Sequence, residues 1–281
     1  MTDEEKIEYY LGKDSFKNEF FAAKDLPMAY EPFSDTRHLS PAELVSTEIQ
    51  VEMKFGTPEQ YTSSIRLNNK GFRNSFDFDS VELNKKDGII LCMGCSDAMG
   101  PNLEEPDIWP NILRGEISSA LGPNVEILNL GMYSAAPDTV SRLLHLYTEI
   151  LHNVSHICII WPHQSRREFA SRDKKLIITK HTKNEQIPTE DWWKFTDWVN
   201  DGYNLNKNML FCRYLAAAKK IQLHELFINR HDPTPGYDIA SAFGAFGEKT
   251  NRALAQYFKK KILGLPSRFE ESKKGEMNAS K

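Results

Sequence analysis

The stretch GIILCMGCSDAMG, residues 88–100, decides the fold. It begins with a continuous apolar run, residues 88–92, which is typical of a strand covered on both faces of a parallel sheet. The run ends in a segment of small residues, 93–100, which indicates a tight turn into a helix. Because sites in open parallel sheets form beyond the carboxyl ends of the strands, this turn is the first place to look for chemistry.

Further apolar runs and helical stretches alternate along the rest of the chain. The runs predict strands at 125–130 (VEILNL), 156–161 (HICIIW) and 224–228 (HELFI). Helical patterns cover 109–121, 138–151, about 191–221 and about 249–262. This alternation predicts a doubly wound α/β fold with a mostly parallel sheet.

The residues before the first strand have a different pattern. We interpret residues 1–85 as an N-terminal extension packed on the core, with a predicted β-hairpin built from 48–55 and 64–67. The extension has too little apolar periodicity for a core of its own. The α/β domain is predicted to span residues 86–265, and the charged tail, 266–281, is predicted to be disordered.

Composition and charge argue against several classes of function. With 35 Lys and Arg against 39 Asp and Glu, the net charge of −4 disfavours a nucleic-acid partner held by a basic face. No apolar run approaches the roughly 18 residues of a membrane span, and the acidic start lacks the apolar region of a secretory signal. Four cysteines are too few for a disulfide scaffold, so we expect a reduced, cytoplasmic location.

Ser96 is the candidate nucleophile in the turn after the first strand. Backbone N–H groups that flank a serine in such a turn can face a developing oxyanion. The alternative is a turn whose serine only caps the following helix. Cys92 and Cys95 have CxxC spacing, but no second pair completes a zinc site, so we interpret them as a buried and a turn cysteine. We therefore expect no metal, and no cofactor either, since no glycine-rich phosphate loop occurs.

The order of these segments resembles the SGNH (GDSL-type) hydrolase superfamily, in the GCS variant common in phage and environmental members. Residues 94–100 (GCSDAMG) resemble its first block, 128–131 (LNLG) its second and 159–164 (IIWPHQ) its third. Residues 68–73 (NNKGFR) are similar to the N-x-x-GFR hairpin that often precedes the core. The resemblance implies a three-layer α/β/α sandwich and hydrolysis or transfer of an acyl ester through a Ser96 acyl-enzyme.

The last block of the family departs from the pattern. Family members carry a D-x-x-H element before the final helix, and the matching stretch here is ASAFGAFG, residues 240–247. By this alignment Ala242 stands at the position of the catalytic Asp and Ala245 at that of the catalytic His. The chain is then either a natural pseudoenzyme, a binding or structural protein on the same fold, or a form substituted to be inactive. Two alanines at just these positions favour the form substituted to be inactive.

The resemblance also implies an oxyanion hole. Its donors would be the backbone N–H groups of Ser96 and Ser134 and a side chain from the third block. His163 and Gln164 are the two candidates for that side chain, and we favour His163.

Other polar residues are candidates for substrate contacts or for a replacement base. Asp97 and Arg166 are the predicted substrate-binding residues; the alternative for Arg166 is an exposed, salt-bridged helix start. His231 and Asp232 could replace the missing pair, although a solvated loop pair is the simpler interpretation. The expected partner is a small-molecule or glycan ester, with no membrane partner, and the oligomeric state is left open.

Overall fold

A parallel sheet forms the centre of the computed structural model, which describes residues 67–100, 103–132, 135–170, 176–179, 198–227 and 246–265. The strands of these ranges are β1 (Gly88–Met93), β2 (Val125–Asn129), β3 (Val154–Ile160), β4 (Arg167–Ala170), β5 (Leu176–Thr179) and β6 (Gln222–Leu226). The parallel sheet has the order β2-β1-β3-β6, and β4 pairs with β5 in a separate antiparallel hairpin. The predicted α/β class with a mostly parallel sheet is confirmed.

Helices cover both faces of the sheet. They are α1 (Ser80–Leu83), α2 (Ser96–Met99), α3 (Trp109–Leu121), α4 (Pro137–Ile150), α5 (Trp198–Ala218) and α6 (Glu248–Ile262). Apolar residues of α4 and α5 pack on one face, and those of α3 and α6 pack on the other. This gives the three layers that the resemblance implies. No helix in the described ranges is long and apolar enough to cross a membrane.

Every residue of β1 is buried, because the strand has a neighbour on each side and a helical layer on each face. Alternate residues of the strand therefore enter different cores: Ile89 and Leu91 lie in the α4–α5 core, while Ile90 lies in the α3–α6 core. This environment explains why the first run is apolar throughout instead of alternating.

The start of α3 depends on a side chain from the other end of the domain. Its N-cap residue, Ile108, has no side-chain oxygen, and the backbone N–H of Trp109 donates instead to Oδ1 of Asn251 at 2.9 Å. The rings of Trp109 and Phe258 stack with centroids 4.8 Å apart. These contacts attach α3 to α6 across the face of the sheet.

The described part of the N-terminal extension contributes to the core. Phe72, Phe78 and Leu83 are buried against apolar residues of β1, β3 and α4. The predicted hairpin strand 48–55 and all of 64–67 except Leu67 lie outside the described residues, as do the tail 266–281 and the first seven residues of the predicted helix 191–221. The hairpin of β4 and β5 was not predicted.

A pair of histidines predicts how stability changes with pH. His156 on β3 and His224 on β6 stack with Nδ1 of the first 3.1 Å from Nε2 of the second. Burial lowers the pKa of His156; burial, together with the nearby charges of His156 and Lys261, lowers the pKa of His224 to about 4. The unfolded chain therefore takes up these protons first, near pH 6.5. The stabilisation is fully present above that pH and is lost as the pH falls toward 4.

We expect the urea midpoint to fall between about pH 7.5 and pH 4.5, and to fall less in His224→Gln, which does not titrate at this position. Comparing the two chains removes the contribution of the carboxylates, which both share. Equal decreases in the two chains would contradict the assignment to the histidine pair.

Candidate functional site

Ser96 lies at the carboxyl end of β1, in the middle of the sheet. It is the first residue of α2 and is buried, as is Asp97. Its Oγ lies 3.7 Å from Sγ of Cys95, whose thiol donates to Oδ2 of Asp97 at 3.2 Å. Cys95 is the N-cap residue of α2, so Ser96 does not cap this helix; the nucleophile role of Ser96 stays a prediction. The substrate-binding role of Asp97 stays a prediction.

The loop after β2 packs directly against α2. A Cβ on Gly131 would lie 2.6 Å from Cβ of Ala98 and 2.7 Å from the backbone N of Met99, so glycine is required by the close approach. Nδ2 of Asn129 donates to the Ala98 carbonyl at 2.9 Å, and its Oδ1 accepts from the Gly131 N–H at 2.9 Å. The structure therefore brings together the first two segments of the family resemblance.

The third segment of the resemblance, residues 159–164, includes the last two residues of β3 and the loop that follows. The indole N–H of Trp161 donates to Glu225 at 2.9 Å, which ties the segment to β6. His163 is exposed, and its Nδ1 lies 2.6 Å from Oγ of Ser165 in the same loop. Gln164 is half-buried. The oxyanion roles of His163 and Gln164 stay predictions.

Arg166 is buried, and it connects the third segment to the loop before α4. Its Nη1 donates to the Ala135 carbonyl at 3.3 Å. The next residue, Arg167, is also buried, begins β4 and pairs with Asp201 at 3.1 Å. The alternative of an exposed, salt-bridged helix start is therefore wrong: Arg166 precedes a strand, and both arginines are buried. Binding of an anionic substrate group by Arg166 stays a prediction.

A partly buried polar network, which the sequence did not predict, attaches β4 to α4 and α5. Glu168 pairs with Arg142 of α4 at 2.7 Å, and its backbone N–H donates to Oδ2 of Asp138 at 3.2 Å. Nδ2 of Asn208 on α5 donates to Oδ1 of Asp138 at 2.9 Å. The network fixes the start of the hairpin that follows the third segment.

Several predicted site residues lie outside the described residues, namely Ser134, His231, Asp232, Ala242 and Ala245. The described chain resumes at Phe246, which belongs to the same buried apolar cluster as Ala98 of α2. Nδ2 of Asn251 donates to the carbonyls of Phe246 at 3.2 Å and Gly247 at 3.0 Å. The turn before α6 and the Ser96 helix therefore contribute to one apolar cluster.

The cysteines are buried, free thiols. Cys92 and Cys158 are register partners on β1 and β3, and burial raises the pKa of Cys158. Burial also raises the pKa of Cys212 to about 12. Thiols with raised pKa values are poor nucleophiles and poor metal ligands. Within the described ranges, no group of three or more His, Cys, Asp or Glu side chains is placed to hold a metal ion.

Comparisons with known proteins find similarity at the level of solved structures. No protein-family model matches the sequence, and no curated protein matches it. A lipolytic protein of the G-D-S-L family from Veillonella parvula has a TM-score of 0.36 at 13% identity, with 62% of this chain and 97% of that chain covered. A psychrotrophic esterase from Pseudoalteromonas has a TM-score of 0.33 at 10% identity, with 61% of this chain and 72% of the esterase covered. A lipase/acylhydrolase from Enterococcus faecalis has a TM-score of 0.32 at 15% identity, with 63% of this chain and 95% of the lipase covered.

Proposed function

We propose that the chain is a serine ester hydrolase or acyltransferase of SGNH type, in a form that lacks its Asp–His pair. One observation carries the proposal: the turn with Ser96 follows the central strand, and the loop containing Gly131 packs on its helix without room for a side chain. This is where a doubly wound sheet forms its site. Two segments of the resemblance, far apart in sequence, thus meet at the candidate nucleophile.

The proposed chemistry explains why the two alanines matter. A serine hydroxyl is a weak nucleophile at neutral pH and needs a general base within hydrogen-bond reach. In the proposed parent, a His at 245 takes the proton from Ser96, and an Asp at 242 orients the imidazole and stabilises its charged form. The oxyanion is held by the N–H groups of Ser96 and Ser134, with the His163 or Gln164 side chain. In the chain as written, alanines stand at both of these positions, so the proposed mechanism lacks its general base.

The proposed ligand is a small-molecule or glycan ester. Asp97 is next to the nucleophile, and Arg166 reaches the loop that precedes α4, so both are candidates for contacts with the bound ester. The second candidate function is a natural pseudoenzyme that binds a ligand or a protein without turnover. The missing Asp and His are compatible with it, although two alanines at just these positions favour a substituted form. The gene sequence in the source organism distinguishes a natural pair of alanines from a substituted one.

Covalent labelling tests which residue is the nucleophile. A fluorophosphonate reacts with an activated serine, so we expect one adduct per chain in Ala242→Asp/Ala245→His, located on Ser96 by peptide mass spectrometry. The unsubstituted chain and the same double variant carrying Ser96→Ala should remain unlabelled. An adduct on another residue, or a folded double variant without an adduct, would contradict the proposal.

A further inference from the structure

We propose that Arg73 and Asn74 are positioning residues that hold the Ser96 helix and the loop after β2 in the geometry of the site. The effect of these residues on catalysis rests on the proposed function, whereas their contacts with the site are hydrogen bonds in the structure. Both residues belong to the segment before the core, which the sequence interpretation treats as an extension. Neither is among the predicted site residues.

Arg73 binds the C-terminal end of α2. Its side chain is almost completely buried, and its guanidinium donates to the carbonyls of Met99 at 3.1 Å, Leu103 at 2.6 Å and Gly100. Carbonyls at the end of a helix lack partners within the helix, and a cation is favoured there. A planar guanidinium can reach three carbonyls at once, which an ammonium on a flexible stem cannot do with the same geometry.

The backbone beyond α2 is shaped for this contact. Gly100 has a φ of 65°, and a Cβ there would lie 2.1 Å from Cγ2 of Ile108, so the chain turns in a conformation that only glycine accepts. The turn directs the carbonyls of Gly100 and Leu103 at one guanidinium. Burial lowers the pKa of Arg73, and the nearby charges of Glu104 and Glu105 raise it in part. A buried guanidinium whose two terminal nitrogens donate to three carbonyls keeps its position, because moving it away would leave the charge unpaired.

Asn74 binds the other half of the site. Its Nδ2 donates to the Asn129 carbonyl at 2.8 Å, and its Oδ1 accepts from the Asn129 N–H at 3.0 Å. The side chain of Asn129 in turn bonds to Ala98 of α2 and to Gly131. Two adjacent residues thus reach both segments that meet at Ser96, one through Met99 and the other through Asn129. We call this set of hydrogen bonds, from Arg73 and Asn74 through Asn129, the 73–74 clamp.

A residue that only adds stability and a residue that positions the site differ in where they act. If the 73–74 clamp positions the site, its loss loosens residues 95–103 and 129–132 first, and leaves distant strands protected. It also lowers kcat more than it raises KM, since misplacement of a nucleophile by about 1 Å can cost about 100-fold in rate. A general loss of stability would change exchange in all parts of the chain alike.

Amide hydrogen exchange by mass spectrometry tests the inference without any need for catalysis. In Arg73→Met we expect peptides covering 95–103 to exchange at least about tenfold faster, with the β3 peptide 154–160 unchanged. Arg73→Lys keeps the charge and should restore part of the protection. The matched control is Ile117→Val, a buried change on α3 that leaves the 73–74 clamp intact and should not accelerate residues 95–103 selectively. Equal acceleration in all peptides, or none in 95–103, would overturn the inference.

A kinetic measurement tests whether the 73–74 clamp affects catalysis. In the background Ala242→Asp/Ala245→His, Asn74→Asp replaces the amide that donates to the Asn129 carbonyl, and we expect kcat to fall about 10- to 100-fold with little change in KM. A rise in KM with an unchanged kcat would overturn the positioning role. If Arg73→Met does not fold, Arg73→Lys and Asn74→Asp carry both measurements. Absence of esterase activity in the background chain contradicts the proposed function alone, because the exchange measurement does not depend on it.

Discussion

Ala242→Asp together with Ala245→His is expected to raise hydrolysis of p-nitrophenyl acetate by at least about 10³-fold over the chain as written. Loss of a serine or histidine from a comparable triad costs on the order of 10⁶-fold in kcat, and part of that should return when both residues are supplied. Because an unperturbed His titrates near pH 6.5, the restored rate should rise with pH through that region. Initial rates measured between about pH 5 and pH 9 test both expectations.

Two further variants test whether the restored activity depends on Ser96 and on both introduced residues. Ser96→Ala in the restored chain should return the rate to that of the chain as written, since the acyl-enzyme can no longer form. Ala245→His alone should recover less than the pair, because the imidazole then lacks the carboxylate that orients it. The restored chain should also melt within a few degrees of the chain as written, so that rates compare equally folded proteins. A restored chain that is folded and no faster than its Ser96→Ala form would exclude the esterase proposal.

Gly131→Ala is expected to destabilise the protein strongly, because it adds a methyl group where the loop after β2 packs on α2. The new Cβ would lie 2.6 Å from Cβ of Ala98 and 2.7 Å from the backbone N of Met99, and backbone atoms cannot give way as a flexible side chain does. Overpacking of this kind costs typically about 1–3 kcal/mol, and we expect the upper part of that range. For a domain of this size the melting temperature should fall by about 5–10 °C.

The matched control is Gly115→Ala, which adds the same methyl group on the exposed side of α3 with no atom within 4 Å. Alanine is favoured over glycine inside a helix by about 0.5–1 kcal/mol, so this variant should be slightly more stable than the parent. Differential scanning calorimetry of the two variants measures both shifts. Equal melting temperatures for the two variants would mean that the loop after β2 moves easily to accept a side chain. The close packing of Gly131 on α2 would then not support the proposed site.

The elements that the sequence predicts well are those with a strong local pattern. The first strand, predicted at 88–92, is observed at Gly88–Met93, and the third helix is observed at Trp109–Leu121, within the predicted limits. A strand buried on both faces is apolar throughout, and a helix with one buried face repeats its apolar residues every three to four positions. Both patterns involve residues that are close in sequence, so they can be recognised without knowing how the elements pack.

The hairpin of β4 and β5 has no comparable signal. Arg166, Arg167 and Glu168 are charged residues that a local reading places on a solvated helix start. The structure buries Arg167 against Asp201 and Glu168 against Arg142, pairs separated by 34 and 26 residues. A charged side chain is buried when it finds a partner of opposite charge, and that partner comes from folding. The strand therefore depends on contacts that no window of sequence contains.

The sequence by itself determined the doubly wound α/β fold, because that fold follows from apolar periods along the chain, and it singled out Ser96 as the serine of the turn after the first strand. Only the tertiary structure decided what surrounds that turn. It placed Gly131 against α2, Asn129 between the two loops, and Arg73 on the carbonyls at the end of α2. Arg73 and Met99 lie 26 residues apart, and Asn74 and Asn129 lie 55 apart. The physical reason is that a hydrogen bond between distant residues depends on how helices and strands pack, whereas periodicity reports only which face of each element is buried.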